Sequence, residues 1–241
     1  MNCNKVFYYK FFYHLFYLFL LTMKKLFILS ILVCCCPKQE KKDKNLVTIT
    51  YNKKDLDDAK IQMQNAFPIK ESDIVLLGDS KTEGFPTQEI FNDLNIKNRG
   101  IAGNKTVDVL TRLHNIVSGK PKKIFLEIGL NDLSENNDVE KVFSNFSKIC
   151  SQIKRVSPNT IIYVQSVLPT TFENRGLNSK INSYNKMLNK FCTDNGIQYI
   201  DLNSHFLLNK ELNPKYTIDG THLNIKGYFL WRDLLKPYLY L

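Results

Sequence analysis

The chain lacks a CxxC pair, lacks cysteine and histidine at metal-ligand spacing, and lacks a basic stripe interleaved with aromatics. The first two absences leave no metal site and no cofactor to expect. The third argues against nucleic acid as a partner. No internal repeat and no break between two domains is visible. Acidic residues are missing from positions 1–35, which carry Lys5, Lys10, Lys24 and Lys25, so this stretch supplies four units of the formal net charge of +10. The segment Lys38–Lys44 adds +2, leaving the body only mildly basic. With 241 residues, 44% hydrophobic and 23% charged, the chain suits one globular domain with a sizeable core.

Long apolar runs are also scarce. Phe11 to Met23 is apolar but short, interrupted by His14, where a membrane span needs roughly 20 residues. Next comes MKKLFILSILVCCC, Met23 to Cys36: two lysines, a short apolar run, then small residues and cysteine. This is the layout of a bacterial signal peptide. Leu32, Val33, Cys34 and Cys35 resemble a lipoprotein processing box, with Cys35 as the candidate lipidated residue and Cys34 and Cys36 as alternatives. The expectation is a start at Met23, a signal and lipoprotein segment over 1–36, a polar tether over 37–54 and a folded domain over 55–241. The competing reading is one signal anchor from Phe11 to Cys36, which would bury two lysines at roughly 2.5–3.5 kcal/mol each. The first reading makes the protein an exported cell-envelope lipoprotein, periplasmic or at the cell surface. In the body only Cys150 and Cys192 remain. Both read as small buried hydrophobes, with a disulfide between them as the alternative in an exported protein.

From residue 55 on, apolar strands alternate with amphipathic helices. Strands are expected at Ile74–Leu77, Ile96–Asn98, Ile124–Ile128, Thr160–Val167 and Gln198–Leu202, with a further short one at Leu46–Tyr51. Helices are expected at Thr106–Ser118, Val139–Val156, Ser179–Asn195 (closed by Gly196) and Ile225–Leu235 (ended by Pro237). This alternation predicts a parallel sheet covered on both faces. Ligands of such sheets bind beyond the carboxyl ends of the strands. Ser80, Gly100–Gly103, Asn131, Asp219 and His222 all fall in loops at that edge.

Those residues carry the chemistry. GDSKTEG, Gly78–Gly84, places Ser80 on the turn leaving a buried strand. DGTH places Asp219 three residues before His222. A serine, a base to take its proton and a carboxylate to orient the base are the parts of a nucleophilic hydrolase. Asp79 reads as structural, bonding local backbone groups. His114 and His205 read as ordinary surface or helix residues. A GxSxG elbow is absent, which argues against the α/β-hydrolase fold.

Four blocks, in order, resemble the SGNH hydrolases, also called GDSL-type esterases and lipases. GDSKTEG holds Ser80, NRGIAGNKT holds Gly103, GLND holds Asn131 and DGTHLNIKGY holds Asp219 and His222. The resemblance covers about residues 70–240. Two positions depart from the family pattern: Lys81, where an apolar residue is frequent, and Leu130, where small or polar residues also occur. The resemblance implies a three-layer α/β/α, flavodoxin-like fold with a five-stranded parallel sheet. It also implies serine ester hydrolysis by Ser80, His222 and Asp219, with an oxyanion hole from the backbone N–H groups of Ser80 and Gly103 and the amide of Asn131. Within the family the chain is similar to the platelet-activating-factor acetylhydrolase-like and sialate O-acetylesterase-like branches. The expected substrate is therefore a small acyl ester, acetyl first, on carbohydrate. A lysophospholipase or thioesterase of broad acyl specificity is the second reading, and a non-catalytic carbohydrate-binding lipoprotein the third. The sequence does not indicate an oligomeric state.

Overall fold

The computed structural model of the protein describes residues 52–240. The expected signal segment, Cys35, the strand at Leu46–Tyr51 and most of the expected tether lie outside the described residues. Helices run over α1 Lys53–Asn65, α2 Ser80–Glu83, α3 Thr87–Phe91, α4 Thr106–Arg112, α5 His114–Val117, α6 Leu130–Ser134, α7 Val139–Val156, α8 Asn178–Asn195, α9 Asn203–Phe206 and α10 Ile225–Leu239. Strands run over β1 Ile74–Gly78, β2 Ile96–Gly100, β3 Lys123–Glu127, β4 Ile161–Gln165 and β5 Gln198–Ile200. All five pair in parallel, in the order β2-β1-β3-β4-β5.

The sheet forms here because its strands are apolar on both faces, which only a two-sided cover can bury. In β1, Val75 and Leu77 join one core cluster with Val109, Phe146, Ile149, Ile181 and Leu188 from α4, α7 and α8. Ile74 and Leu76 point the other way, into a second cluster with Phe125, Tyr163, Trp231 and Leu235. Period-two alternation in a strand thus feeds two cores and gives three layers. On α7 the buried residues Val142, Phe146, Ile149, Cys150 and Ile153 keep helical spacing. Cys150 and Cys192 are buried, unbridged thiols, and burial pushes Cys192 up to about 12. His114 and His205 are exposed.

Three expectations need correction. The helix at Thr106–Ser118 is two helices. Leu113 keeps helical angles, but the hydrogen-bond register tightens there, with Ile116 N–H reaching Leu113 C=O at 3.0 Å. Pro237 does not end the last helix, which continues to Leu239. Trp231, Leu235 and Leu239 lie four apart and are all buried, so packing holds the final turn. The buried Lys123 side chain donates to the carbonyls of Tyr238 and Leu239 at 2.7 and 2.9 Å, groups a helix C-terminus leaves open. Finally, Lys53 and Lys54, placed in the expected tether, open the helix α1. The Asn52 side chain accepts from Asp55 N–H as an N-cap, and α1 has no buried residue.

Gly100 closes β2 where α2 leans on the sheet. A Cβ there would lie 2.2 Å from Glu83 N and 2.6 Å from the carbonyl carbon of Thr82. Both are backbone atoms and cannot step aside. Gly100→Ala is therefore expected to destabilise the protein by about 1–3 kcal/mol, as overpacking does, read as a lower midpoint in urea unfolding.

Candidate active site

The register sets the site. Gly78 of β1 pairs with Gly100 of β2 and with Glu127 of β3, so the three strands end level. The segments that follow carry Ser80, Gly103 and Asn131; only Gly103 lies in a loop, whereas Ser80 and Asn131, expected in loops, lie in the first turns of the short helices α2 and α6. Ser80 is the first residue of α2, and Asp79 caps it by accepting from Lys81 N–H at 3.0 Å. The backbone N–H at such a position has no intrahelical acceptor.

The 217–222 loop brings the other two residues. Thr217 accepts from Gly220 N–H at 2.9 Å and donates to His222 C=O at 2.7 Å. Gly220 takes φ +88°, and a Cβ there would meet Thr171 O at 2.7 Å. Asp219 Oδ1 accepts from the backbone N–H of Thr221 and of His222, at 2.9 and 2.7 Å. Its other oxygen, Oδ2, lies 2.6 Å from His222 Nδ1. His222 Nε2 lies 3.0 Å from Ser80 Oγ. A carboxylate only accepts, so Nδ1 carries the proton and Nε2 is left to accept from the Ser80 hydroxyl. Burial alone would raise the Asp219 pKa. The bonds from the His222 ring and from the two backbone N–H groups outweigh it and hold the carboxyl below its usual range.

Gly103 and Asn131 follow β2 and β3 at the same sheet edge. Gly103 adopts φ +70°, a region that suits glycine. Asn131 Nδ2 donates to Asn104 O at 2.9 Å, which fastens the asparagine to the glycine-bearing loop. The five residues picked from the sequence are thus gathered at one sheet edge, with Ser80, His222 and Asp219 in one hydrogen-bonded line.

Side chains outside those five also hold this edge together. The side chain of Arg112 is buried. It donates from Nε to Asn104 Oδ1 at 2.9 Å and from Nη2 to Gly78 O at 3.2 Å. Burial lowers its pKa to about 10, so it stays charged at neutral pH. Asp132 accepts from Thr106 N–H and Thr106 Oγ1–H, at 3.0 and 2.6 Å. Beneath Ser80, Asp79, Lys81 and Glu127 are all buried. Phe172, about half exposed and held at φ +54°, stands against Gly220, and Ile218 is exposed beside Asp219. The sequence signal for Arg112 was a charge three residues beyond Val109 on an apolar helix stripe. For Glu127 it was a carboxylate inside an apolar strand.

Residues 76–230 match the GDSL-like Lipase/Acylhydrolase family. Among curated relatives, an N-acylneuraminate cytidylyltransferase of Streptococcus agalactiae is 31% identical over 171 residues, which is 69% of this chain and 38% of that protein. The chain therefore spans well under half the length of that relative. The platelet-activating factor acetylhydrolase IB subunit alpha2 of Rattus norvegicus is 29% identical over 203 residues, 77% of this chain and 86% of that one. A solved structure described as a platelet activating factor from Streptococcus pneumonia is 30% identical, covers 76% of this chain and 90% of its own, and superposes with a TM-score of 0.68.

Arg112→Met is expected to leave Gly78 O and Asn104 Oδ1 without their charged donor. The cost should be about 1.5–3 kcal/mol per lost charged hydrogen bond, measured by chemical denaturation.

Proposed function

Starting from membership of the GDSL-like lipase/acylhydrolase family, whose members are carboxylic ester hydrolases, we propose that this protein removes small acyl groups, acetyl first among them, from carbohydrate. The observation that carries the reading is the line from Ser80 Oγ through the His222 ring to Asp219, at 3.0 and 2.6 Å.

In this reading Ser80 Oγ attacks the acyl carbon as His222 Nε2 takes its proton. The same nitrogen then returns a proton to the leaving alcohol. Asp219 holds the Nδ1–H tautomer and stabilises the imidazolium that forms. The oxyanion meets the N–H groups of Ser80 and Gly103 and the amide of Asn131. One such donor typically lowers the barrier by about 3–4 kcal/mol. Water then attacks the acyl-serine by the same route.

Two relatives bear on the substrate class: one is named for acetyl hydrolysis, and the other, matched over 38% of its length, for cytidylyl transfer to an N-acylneuraminate, a sugar. A lysophospholipase or thioesterase of broad acyl specificity is the second reading, favoured by exposed Ile218 within the 217–222 loop and exposed Phe172 against its Gly220. Turnover of nitrophenyl esters of increasing chain length separates the two: a sharp fall beyond acetyl supports the first, and a plateau to long chains the second. The location belongs to the same proposal: an exported lipoprotein tethered through Cys35. Mass spectrometry of the protein from its native host should find a lipid-modified N-terminal cysteine, and an unmodified chain beginning at Met1 would count against the tether.

Three variants test the roles. Ser80→Ala should fold and abolish hydrolysis. Asn131→Ala should lower kcat by about 10²–10³ with little change in KM, because an oxyanion donor acts mainly in the transition state. Asp219→Asn should lower kcat by up to ~10⁴ through the wrong imidazole tautomer. Steady-state kinetics on an acetyl ester decides each, and a folded Ser80→Ala protein with wild-type turnover would remove the triad.

A further inference from the structure

Lys81 follows the nucleophile directly, yet its side chain is only 1% exposed. Its Nζ lies 3.5 Å from Asp79 Oδ1 and 3.7 Å from Glu127 Oε1, both carboxylates being equally buried. Five buried side-chain polar atoms among the described residues lack a hydrogen-bond partner, and four of them are Asp79 Oδ2, Lys81 Nζ and the two Glu127 oxygens. Imperfectly bonded buried charge is therefore concentrated at one place, immediately under Ser80.

A buried ion pair is a poor source of stability. Its desolvation cost offsets its attraction, and apolar residues of similar volume do as well or better. What it supplies here is a link between two segments. Asp79 caps α2, which carries Ser80. Glu127 ends β3, four residues before Asn131. Lys81 bridges them from within α2, and the Tyr228 hydroxyl fastens the same turn by donating to Lys81 O at 3.1 Å.

We propose that Lys81 is a positioning residue: held between Asp79 and Glu127, it fixes the spacing between Ser80 and Asn131 on which oxyanion stabilisation depends. The inference rests on the esterase reading of Ser80 and Asn131 given above. It adds a consequence for pH. The groups facing Glu127 are Asp79 from the β1–α2 turn, Lys81 from α2, Tyr184 from α8 and Tyr228 from α10. Burial raises both tyrosines, so neither ionises in the working range. Burial also raises Glu127, Lys81 opposes it and Asp79 adds to it, leaving the carboxyl at about 8. Burial alone would lower Lys81, but Asp79 and Glu127 beside it outweigh that and raise it. Burial thus favours the protonated form of Glu127, and its ionisation adds one negative charge to the cluster. Loss of the Glu127 proton adds a negative charge close to the developing oxyanion, so kcat should fall as pH rises through the raised Glu127 pKa.

Two variants are measured beside wild type and Ser80→Ala on an acetyl ester. Asp79→Asn/Lys81→Met removes the charges in balance and keeps the capping acceptor. Once its folded circular dichroism spectrum is established, kcat should drop by about 10²-fold at unchanged KM, the cost of a small misplacement of catalytic groups. Wild-type kcat in that folded variant overturns the inference. Glu127→Gln keeps this position uncharged at every pH, so the alkaline fall in kcat should vanish. If the double variant does not fold, this profile decides: an alkaline limb unchanged in Glu127→Gln, or absent from wild type, overturns the inference. A working wild type with an inactive Ser80→Ala and indifferent cluster variants refutes the role of Lys81 alone. A wild type that hydrolyses no ester takes the esterase reading down with it.

Discussion

The last residue of β1 has no room for a side chain. A Cβ on Gly78 would sit 2.2 Å from Thr82 Oγ1 and 2.3 Å from Glu127 O. Glycine therefore allows α2 to start at once above the strand and to lie close against β3. The carbonyl of the same residue accepts from Ile101 N–H and from Arg112, so the glycine-bearing loop after β2 is drawn to the same point. Ser80, Gly103 and Asn131 share an edge because three strand ends meet level at this one residue.

The site divides into an exposed half and a buried half with different electrostatics. Asp219 and His222 have side chains 49% and 42% exposed, and their pairing is held by a tight turn in which one carboxylate satisfies three N–H donors. The sign of that arrangement is simple. Asp219 sits below its ordinary pKa, so its contribution to stability is present above the unfolded value and is lost as pH falls through the folded one. With half its surface in water, the contribution is small and salt-screened. Under Ser80 the reverse holds, since Glu127 favours its neutral form. Its stabilising effect is complete below the unfolded carboxylate pKa and is lost as pH rises through the folded one.

Much of this was legible in the residues. Runs such as Ile74–Leu77 and the helical stripe of α7 carry their periodicities openly, and the five-strand parallel sheet follows from them. Ser80 stands out on the turn that leaves a strand, and Asp219 and His222 by their three-residue spacing among turn residues. What stayed hidden depends on contacts remote in sequence. The bond from Arg112 to Gly78 joins residues 34 positions apart, and no local pattern announces it. Pro237 misled because local propensity marks it as a breaker, whereas Trp231, Leu235 and Leu239 bury one face through it. Lys81 was visible as a departure from the family pattern. Its partner Glu127 showed only as a carboxylate inside an apolar strand, with nothing local to pair the two.

The central claim is that Ser80 is the nucleophile, set up by His222. An active-site-directed fluorophosphonate reports this directly, because it forms a stable adduct only with an activated hydroxyl. Peptide mass spectrometry of the labelled protein should locate one adduct, on Ser80, and labelling should be lost in both Ser80→Ala and His222→Ala. An adduct on another residue, or labelling of Ser80 that persists without His222, would contradict the account.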